Sequence, residues 1–307
     1  MKKATVIKTT GSRCVVIIDN EQYQCSVAGK IRLKELEFTN PLAVGDKVMV
    51  EIIDEADNTG RVEEILAREN YIIRKAVKLS SRSHVIAANI DMAYLVVTNE
   101  SPETSSGFVD RFIATAEAYH IPSTLIFNKS DILSEQGKET RAAFMNLYSS
   151  LGYPCIITSA TKNEGINELK DMLANKVNLF AGHSGVGKST LINALVPELN
   201  IATDVISAAH EKGKHTTTFA EMYQINNGGF IIDTPGIREF GTIDFNKAEI
   251  SHYFVEMREL LLDCAFNNCL HLHEAKCAIK QAVEEGRIAG SRYHNYLSIL
   301  ENKDLYR

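Results

Sequence analysis

The chain has 307 residues, 45% hydrophobic and 23% charged, with a formal net charge of −6. That length suits two or three domains, and the acidic balance excludes a surface that is basic throughout, the footprint of many nucleic-acid binders. The longest apolar runs ("VVII", "YLVV", "FII") have strand length and exclude a membrane-spanning helix, while "MKKATVIKTTGSRC" lacks the apolar core of a signal peptide, so the expected location is the cytoplasm.

Residues 4–66 alternate apolar and polar positions in "ATVIKTTGSRCVVIID", "EQYQCSVAG", "GDKVMVEIID" and "GRVEEIL". About five short strands follow, with a helix-length pattern only around "RLKELE", which predicts a small all-β barrel over residues 1–70. "NPLAVGDKVMVEI" resembles a strand entry of OB-fold domains, and the SH3-like barrel is the structural rival. The segment holds 10 lysines and arginines against 12 acids, so RNA contact by this barrel requires a local patch. Cys14, Cys25 and, later, Cys155 stand singly in apolar stretches and read as buried thiols. "YIIRKAVKLSSRSH", residues 71–84, carries Arg74, Lys75, Lys78 and Arg82 with no acid; it reads either as an RNA-binding patch or as a solvated linker.

From about residue 85 strands and helices alternate. "MAYLVVT", "STLIF", "CIITS" and "VNLFA" read as strands, and "FVDRFIATAEAYH", "EQGKETRAAFMNLYSSLG", "INELKDMLA" and "KSTLINALV" as helices; "FAEMYQI" and "GFIID" follow as paired strands. This rhythm predicts an α/β domain over residues 71–240, a mostly parallel sheet with ligand loops at the carboxyl ends of its strands.

"LIFNKSD" comes first among the chemical motifs. Asp131 can accept both the N1–H and the amino hydrogens of guanine, whereas adenine would leave the carboxylate unpaired. Lys129 would lie along the base plane and Asn128 would tie loops together. "ITSAT" supplies Ser159 and Ala160 for a loop that contacts guanine O6.

"FAGHSGVGKSTL" follows a strand and opens a helix, the context a phosphate-binding loop requires. The loop runs through Gly182, His183, Ser184, Gly185, Val186, Gly187, Lys188, Ser189 and Thr190. Its glycines let backbone N–H groups turn toward phosphate oxygens at a helix N-terminus. Lys188 would reach the β- and γ-phosphates as a catalytic group, and Ser189 would ligate Mg²⁺.

"HEKGKHTTTF" has the composition of a nucleotide-dependent switch, in which Thr217 or Thr218 would complete the Mg²⁺ shell. "DTPG" then supplies Asp233 for a water-mediated hold on Mg²⁺ and the Gly236 N–H for the γ-phosphate. The following residue is Ile237, which cannot orient water as the glutamine of many GTPases does. His215 is the polar candidate for that task; a plain exposed histidine is the alternative.

These five motifs occur in the order base loop, Ser-Ala loop, phosphate loop, switch, "DTPG" (G4-G5-G1-G2-G3). A conventional GTPase runs G1-G2-G3-G4-G5. One cyclic shift converts either order to the other, so the domain reads as a circularly permuted P-loop GTPase.

Residues 241–307 carry 8 lysines and arginines against 10 acids, and "KAEISHYFVEMRELLLDC", "AKCAIKQAVEEGRI" and "SRYHNYLSILENKDLYR" read as helices. "CAFNNCLHLHEAKC" sits among them. Cys264, Cys269 and Cys277 with His271 or His273 make a closed Cys₃His set for one structural Zn²⁺ in a helical domain.

In this order the barrel, "FNKSD", "GHSGVGKSTLIN", "GKHTTT", "DTPGIREF" and "CLHLHEAKCAIKQAVEEGRI" resemble the RsgA family, also called YjeQ or YloQ, over nearly the whole chain. The resemblance implies an N-terminal OB-fold, a permuted G domain and a C-terminal zinc domain. It implies a cytoplasmic, monomeric GTPase that binds GTP/GDP with Mg²⁺ and acts in late maturation of the small (30S) ribosomal subunit. Its hydrolysis would be stimulated by the subunit, with rRNA the main contact and other assembly factors as further partners. It selects His271 as the zinc histidine and favours His215 in hydrolysis. One departure stands out: Ala275 and Lys276 occupy the place of the family's usual Pro-Gly before Cys277, so an altered loop with retained metal is expected. An adaptor in which GTP is a static ligand is the functional rival; the intact Lys188, Ser189 and Asp233 favour turnover.

Overall fold

The computed structural model describes residues 1–10, 13–29, 31, 40–75, 83–199, 220–233 and 246–301, with only the backbone at 74, 75, 83 and 233. Two compact units emerge. The first comprises Met1–Ala93, Asn167–Phe180 and Ile192–Ile237, and the second Tyr94–Ile166, Ala181–Leu191 and Arg238–Arg307.

The first unit begins with β1 (Lys2–Thr10), β2 (Arg13–Ile18), β3 (Glu21–Val27), β4 (Lys47–Asp54) and β5 (Thr59–Ile65). Side-chain alternation decides which face is dry: in β3, Tyr23, Cys25 and Val27 point inward and their neighbours outward. Asp19 and Asn20, both at positive φ (50° and 69°), make the two-residue turn between β2 and β3. β1 pairs with β2, β2 with β3, β3 with β5 in parallel, β5 with β4, and β4 back with β1. That cycle is a closed five-stranded OB-type barrel. Val6, Val16, Val48, Val50 and Val62 are wholly buried in its core, each contributing about 1.5–3 kcal/mol of hydrophobic stabilisation.

β6 (Tyr71–Lys75) and β7 (Ser83–Ala88) form an antiparallel pair with Arg74 opposite His84. The described ends of the basic stretch 71–84 are thus paired strands, not a solvated linker. β-branched residues at Ile72, Ile73 and Val85 favour this over coil; residues 76–82, with Lys78 and Arg82, lie outside the described residues. The same unit holds α3 (Ile166–Leu173, from Asn167 onward), β11 (Val177–Ala181, as far as Phe180), β12 (Glu221–Gln224) and β13 (Phe230–Asp233). β11 runs parallel to β13, β12 antiparallel to it, and β12 meets β1 at Lys8 and Glu221, whose side chains pair at 2.9 Å.

In the second unit β8 (Met92–Val97, from Tyr94 onward), β9 (Ser123–Phe127) and β10 (Cys155–Ile157) lie in one sheet, with β9 and β10 parallel. Between them run α1 (Ser106–Ala118), capped by Ser105, and α2 (Glu135–Ser150), capped by Ser134. All five residues of β9 are buried, as expected of a strand covered on both faces. The phosphate-loop candidate follows β11 and opens α4 (Lys188–Leu195).

The C-terminal part of this unit is less regular than its sequence suggests. "KAEISHYFVEMRELLLDC" is not one helix: it forms a short 3₁₀ turn (Ile250–Tyr253), α5 (Val255–Arg258) and a second 3₁₀ turn (Leu261–Asp263). Phe254 breaks it. Its backbone is extended (φ −105°, ψ 106°) and its ring is fully buried, edge-on to Tyr296 with centroids 5.7 Å apart. Burial of that ring outweighs the helical pattern. α6 (Ala278–Glu284) starts at Cys277, and α7 (Gly290–Leu300) packs against α1. Among the described residues no helix is long and apolar enough to cross a membrane.

Candidate nucleotide and metal sites

β9 ends directly in the base loop, so Asn128 is buried at the carboxyl edge of the sheet. Its amide donates to the Val186 carbonyl at 2.9 Å, and its Oδ1 accepts from the buried Thr158 hydroxyl at 3.0 Å. One side chain therefore joins three loops: the base loop, the loop after β10 and the phosphate loop 58 residues downstream.

Gly187 shows why this packing needs glycine. It sits at φ 85°, and a Cβ there would lie 2.6 Å from the Asn128 amide nitrogen. Val186 is fully buried and anchors the loop, while Ser184 and Thr190 are exposed and Ser189 is half-buried at the start of α4. The Lys188 ammonium reaches back over the loop to the Gly182 carbonyl at 3.4 Å. His183 lies against the Phe108 ring of α1, centroids 3.7 Å apart. Burial, helped by the charge of Lys188, holds its pKa below the ordinary value and keeps it neutral near pH 7.

Asp131 faces a cavity of about 190 Å³ lined by Asn128, Lys129, Asp131, Ile132, Ala160, Thr161, Gly187 and Thr190. Lys129 is in the left-handed conformation (φ 60°), and its ammonium donates to the Ser101 carbonyl at 2.6 Å, stretching its stem along the loop. The Asp131 carboxylate accepts from Ser159 Oγ at 2.6 Å and from Thr161 Oγ1 at 3.0 Å. The Ser159 bond is the main reason its pKa lies below the usual carboxylate value, so an ionised acceptor faces the cavity. Thr158, Thr161 and Ile132 join the site without a motif of their own; the hydroxyl density of "ITSAT" is the only sequence signal for the first two.

Asp233 ends β13 in the first unit, with only its backbone described. His215, Thr217, Thr218 and Gly236 lie outside the described residues.

Cys264, Cys269, His271 and Cys277 converge, with one ligand atom from each within 4.8 Å of all the others. His271 Nδ1 lies 3.7 Å from Cys264 Sγ and 3.3 Å from Cys277 Sγ. Tetrahedral zinc, with Zn–S of about 2.3 Å and Zn–N of about 2.0–2.1 Å, separates nitrogen from sulfur by about 3.6 Å. The donor set fits that ion through Nδ1. Burial lowers the His271 pKa, favouring the neutral imidazole that ligates metal. His273 is exposed and outside the cluster.

The loop bearing His271 is held from both sides. Glu274 accepts backbone N–H groups from Leu270, Leu272 and His273 at 2.7–3.0 Å. From α7, Tyr293 donates to the His271 carbonyl at 2.5 Å and Tyr296 to that of Leu270 at 2.9 Å. Lys276 adopts φ 55°, the left-handed conformation that glycine favours.

Comparison with known proteins is consistent along the chain. Residues 65–243 match the model of the RsgA GTPase family. The Small ribosomal subunit biogenesis GTPase RsgA of Phocaeicola vulgatus is 50% identical, covering 98% of this chain and 97% of the relative. The protein of that name from Flavobacterium johnsoniae is 49% identical, covering 98% and 93%. Among solved structures, YjeQ from Thermotoga maritima matches with a TM-score of 0.82 at 33% identity, covering 98% of both chains. YloQ, described as a circularly permuted GTPase, matches with a TM-score of 0.77 at 30% identity, covering 98% of this chain and 94% of that one.

Proposed function

The chain belongs to the RsgA GTPase family, and from that premise we propose that it hydrolyses GTP on the small (30S) ribosomal subunit during late maturation. Contact with the subunit, chiefly its rRNA, stimulates hydrolysis, and hydrolysis times release of the factor. The protein works as a monomer in the cytoplasm, alongside other assembly factors. Its functional domains are the OB barrel of residues 1–70, the permuted GTPase domain of 71–240 and the zinc domain of 241–307. The relatives' shared name, Small ribosomal subunit biogenesis GTPase, supports the ribosomal part of this reading.

One observation carries the nucleotide reading. The Asn128–Val186 hydrogen bond, 2.9 Å long, ties a base-reading loop to a phosphate loop that follows it in the chain. With the two loops tied, Asp131 meets guanine N1–H and the amino group, and Ala160 and Ser159 close the O6 side. Lys129 lies along the base plane. The backbone from Gly182 through His183, Ser184, Gly185 and Val186 to Gly187 binds the phosphates, with Thr190 behind it. Lys188 leaves the Gly182 carbonyl for the β- and γ-phosphate oxygens, where charge develops in the transition state. Ser189, Thr217 or Thr218 and, through water, Asp233 would hold Mg²⁺, which would supply charge neutralisation for the phosphates. Gly236 donates to the γ-phosphate, and His215 orients water because Ile237 has no polar atom with which to do so. Cys264, Cys269, His271 and Cys277 hold one structural Zn²⁺.

The test is turnover of GTP and of ATP by the purified protein, with and without 30S subunits. Turnover confined to GTP and raised by the subunit is expected. Equal use of ATP would overturn the base assignment, and indifference to 30S would overturn the ribosomal one.

A further inference from the structure

The two hydroxyl side chains on the Asp131 carboxylate have an order that the base-loop motif alone does not explain. A carboxylate has two oxygens and about four in-plane lone-pair positions. Ser159 Oγ takes one position on Oδ1 at 2.6 Å, and Thr161 Oγ1 takes one on Oδ2 at 3.0 Å. Ser159 Oγ accepts the Lys162 N–H at 3.1 Å, so its only hydrogen is free to serve Asp131. The Ser159 and Thr161 oxygens lie 3.1 Å apart, so the two hydroxyls stand side by side with one on each carboxylate oxygen. Side-chain donors thus take one position on each oxygen and leave acceptor capacity on both, and a guanine base presents two adjacent donors.

Thr161 is held in place for this. Ser159 and Glu164 exchange backbone hydrogen bonds at 3.1 and 3.0 Å, closing a loop over residues 160–163 with Thr161 inside it. The loop turns back at Asn163 (φ 58°) and Gly165 (φ 68°), and a Cβ on Gly165 would lie 2.2 Å from the Ile157 carbonyl oxygen. Threonine's β-branch restricts its χ1, so the hydroxyl has few other directions available. Thr161 also lines the same cavity as Asp131.

We propose that Thr161 is a positioning residue for base selection: together with Ser159 it fixes the plane of the Asp131 carboxylate, one hydroxyl per oxygen, so that both free lone pairs meet the base in register. The inference rests on the reading of this cavity as the guanine site. Its consequence is specific. A carboxylate free to rotate still makes one good hydrogen bond, to N1–H, but loses the paired geometry that rewards the exocyclic amine.

The experiment compares GDP with inosine diphosphate, which lacks that amine, for the full-length wild-type protein, Thr161→Val and Thr161→Ser, by equilibrium binding. Valine keeps the β-branch and the volume but removes the hydroxyl; serine keeps the hydroxyl. Thr161→Val is expected to weaken GDP by about three- to ten-fold, the scale of one hydrogen bond, while inosine diphosphate changes little, so the preference between them narrows. Thr161→Ser should restore it. Equal weakening of both nucleotides, or an unchanged preference in Thr161→Val, overturns the role of Thr161. A wild-type protein that binds the two nucleotides equally overturns the guanine reading of the cavity, and this inference with it.

Discussion

Arg292 of α7 and Asp110 of α1 meet at 2.7 Å with both side chains removed from water. Arg292 also grips Glu256 at 2.7 and 2.9 Å and lies 4.5 Å over the Phe254 ring. Asp110 in turn accepts from the Tyr148 hydroxyl at 2.7 Å and the Asn295 amide at 2.6 Å. Burial would lower the Arg292 pKa and raises that of Asp110. The two carboxylates nevertheless hold the guanidinium above its ordinary range, and Arg292, Asn295 and Tyr148 oppose the rise at Asp110.

The pair joins a helix that follows the first strand of the second unit to the helix that braces the cysteine loop. Removing one partner strands a buried charge, which costs about 3–5 kcal/mol. Arg292→Met should therefore lower unfolding free energy by about that amount in urea titrations. Adding Asp110→Asn should restore part of it, because the stranded charge is gone. Additive losses would show that the two residues do not act as a pair.

Little of this network could be read from sequence. Arg292 stands in "SRYHNYLSIL", where nothing distinguishes it from a solvated helix residue, and its partner lies 182 residues away. Periodicity reports which face is apolar, not which distant charge will meet it. The broken segment around Phe254 failed for the same reason: its burial against Tyr296 is a tertiary event. By contrast, the phosphate loop, the base loop and the Cys₃His cluster were legible because their chemistry is local. Glycines at forced φ angles, a carboxylate beside a strand end and ligands spaced over fourteen residues need no knowledge of the rest of the chain.

Lys276 bears on stability in the opposite sense. At φ 55° a side chain costs about 1–2 kcal/mol relative to glycine, partly offset by the extra chain entropy that glycine loses on folding. Lys276→Gly should thus stabilise the zinc-loaded protein by roughly 0.5–1 kcal/mol, seen as a higher melting temperature. A lower melting temperature would mean that the lysine side chain contributes more than its backbone strain costs.

His183 gives the fold a pH dependence whose sign is fixed by its burial against Phe108. Its folded-state pKa lies below the unfolded value of about 6.5, so the neutral form is favoured in the native state. Its contribution is complete above about pH 6.5 and is lost as pH falls through the folded value, because the unfolded chain then binds the extra proton. Melting temperature should therefore drop faster on acidification in the wild type than in His183→Gln. The difference in slope stays below about 1.4 kcal/mol per pH unit, the ceiling for one group, since the ring is only half-buried. Parallel curves between pH 7.5 and 5 would remove His183 as the titrating group.

On the proposed reading, Asp131 is the residue on which base choice turns. Its carboxylate, which accepts from Ser159 and Thr161, would accept two hydrogens from guanine. Asp131→Asn keeps the shape but replaces one acceptor with an NH₂ donor, which meets the guanine amino group hydrogen to hydrogen. GDP should weaken by at least about 100-fold, since a buried polar mismatch costs several kcal/mol. Xanthosine diphosphate carries a carbonyl where guanine has the amine, so it accepts from the new amide and should bind the variant more tightly than GDP does. The comparison is decisive because it reverses a preference instead of merely weakening binding. A variant that loses GDP without gaining the xanthine nucleotide would place Asp131 in the scaffold of the loop and leave base reading to its neighbours.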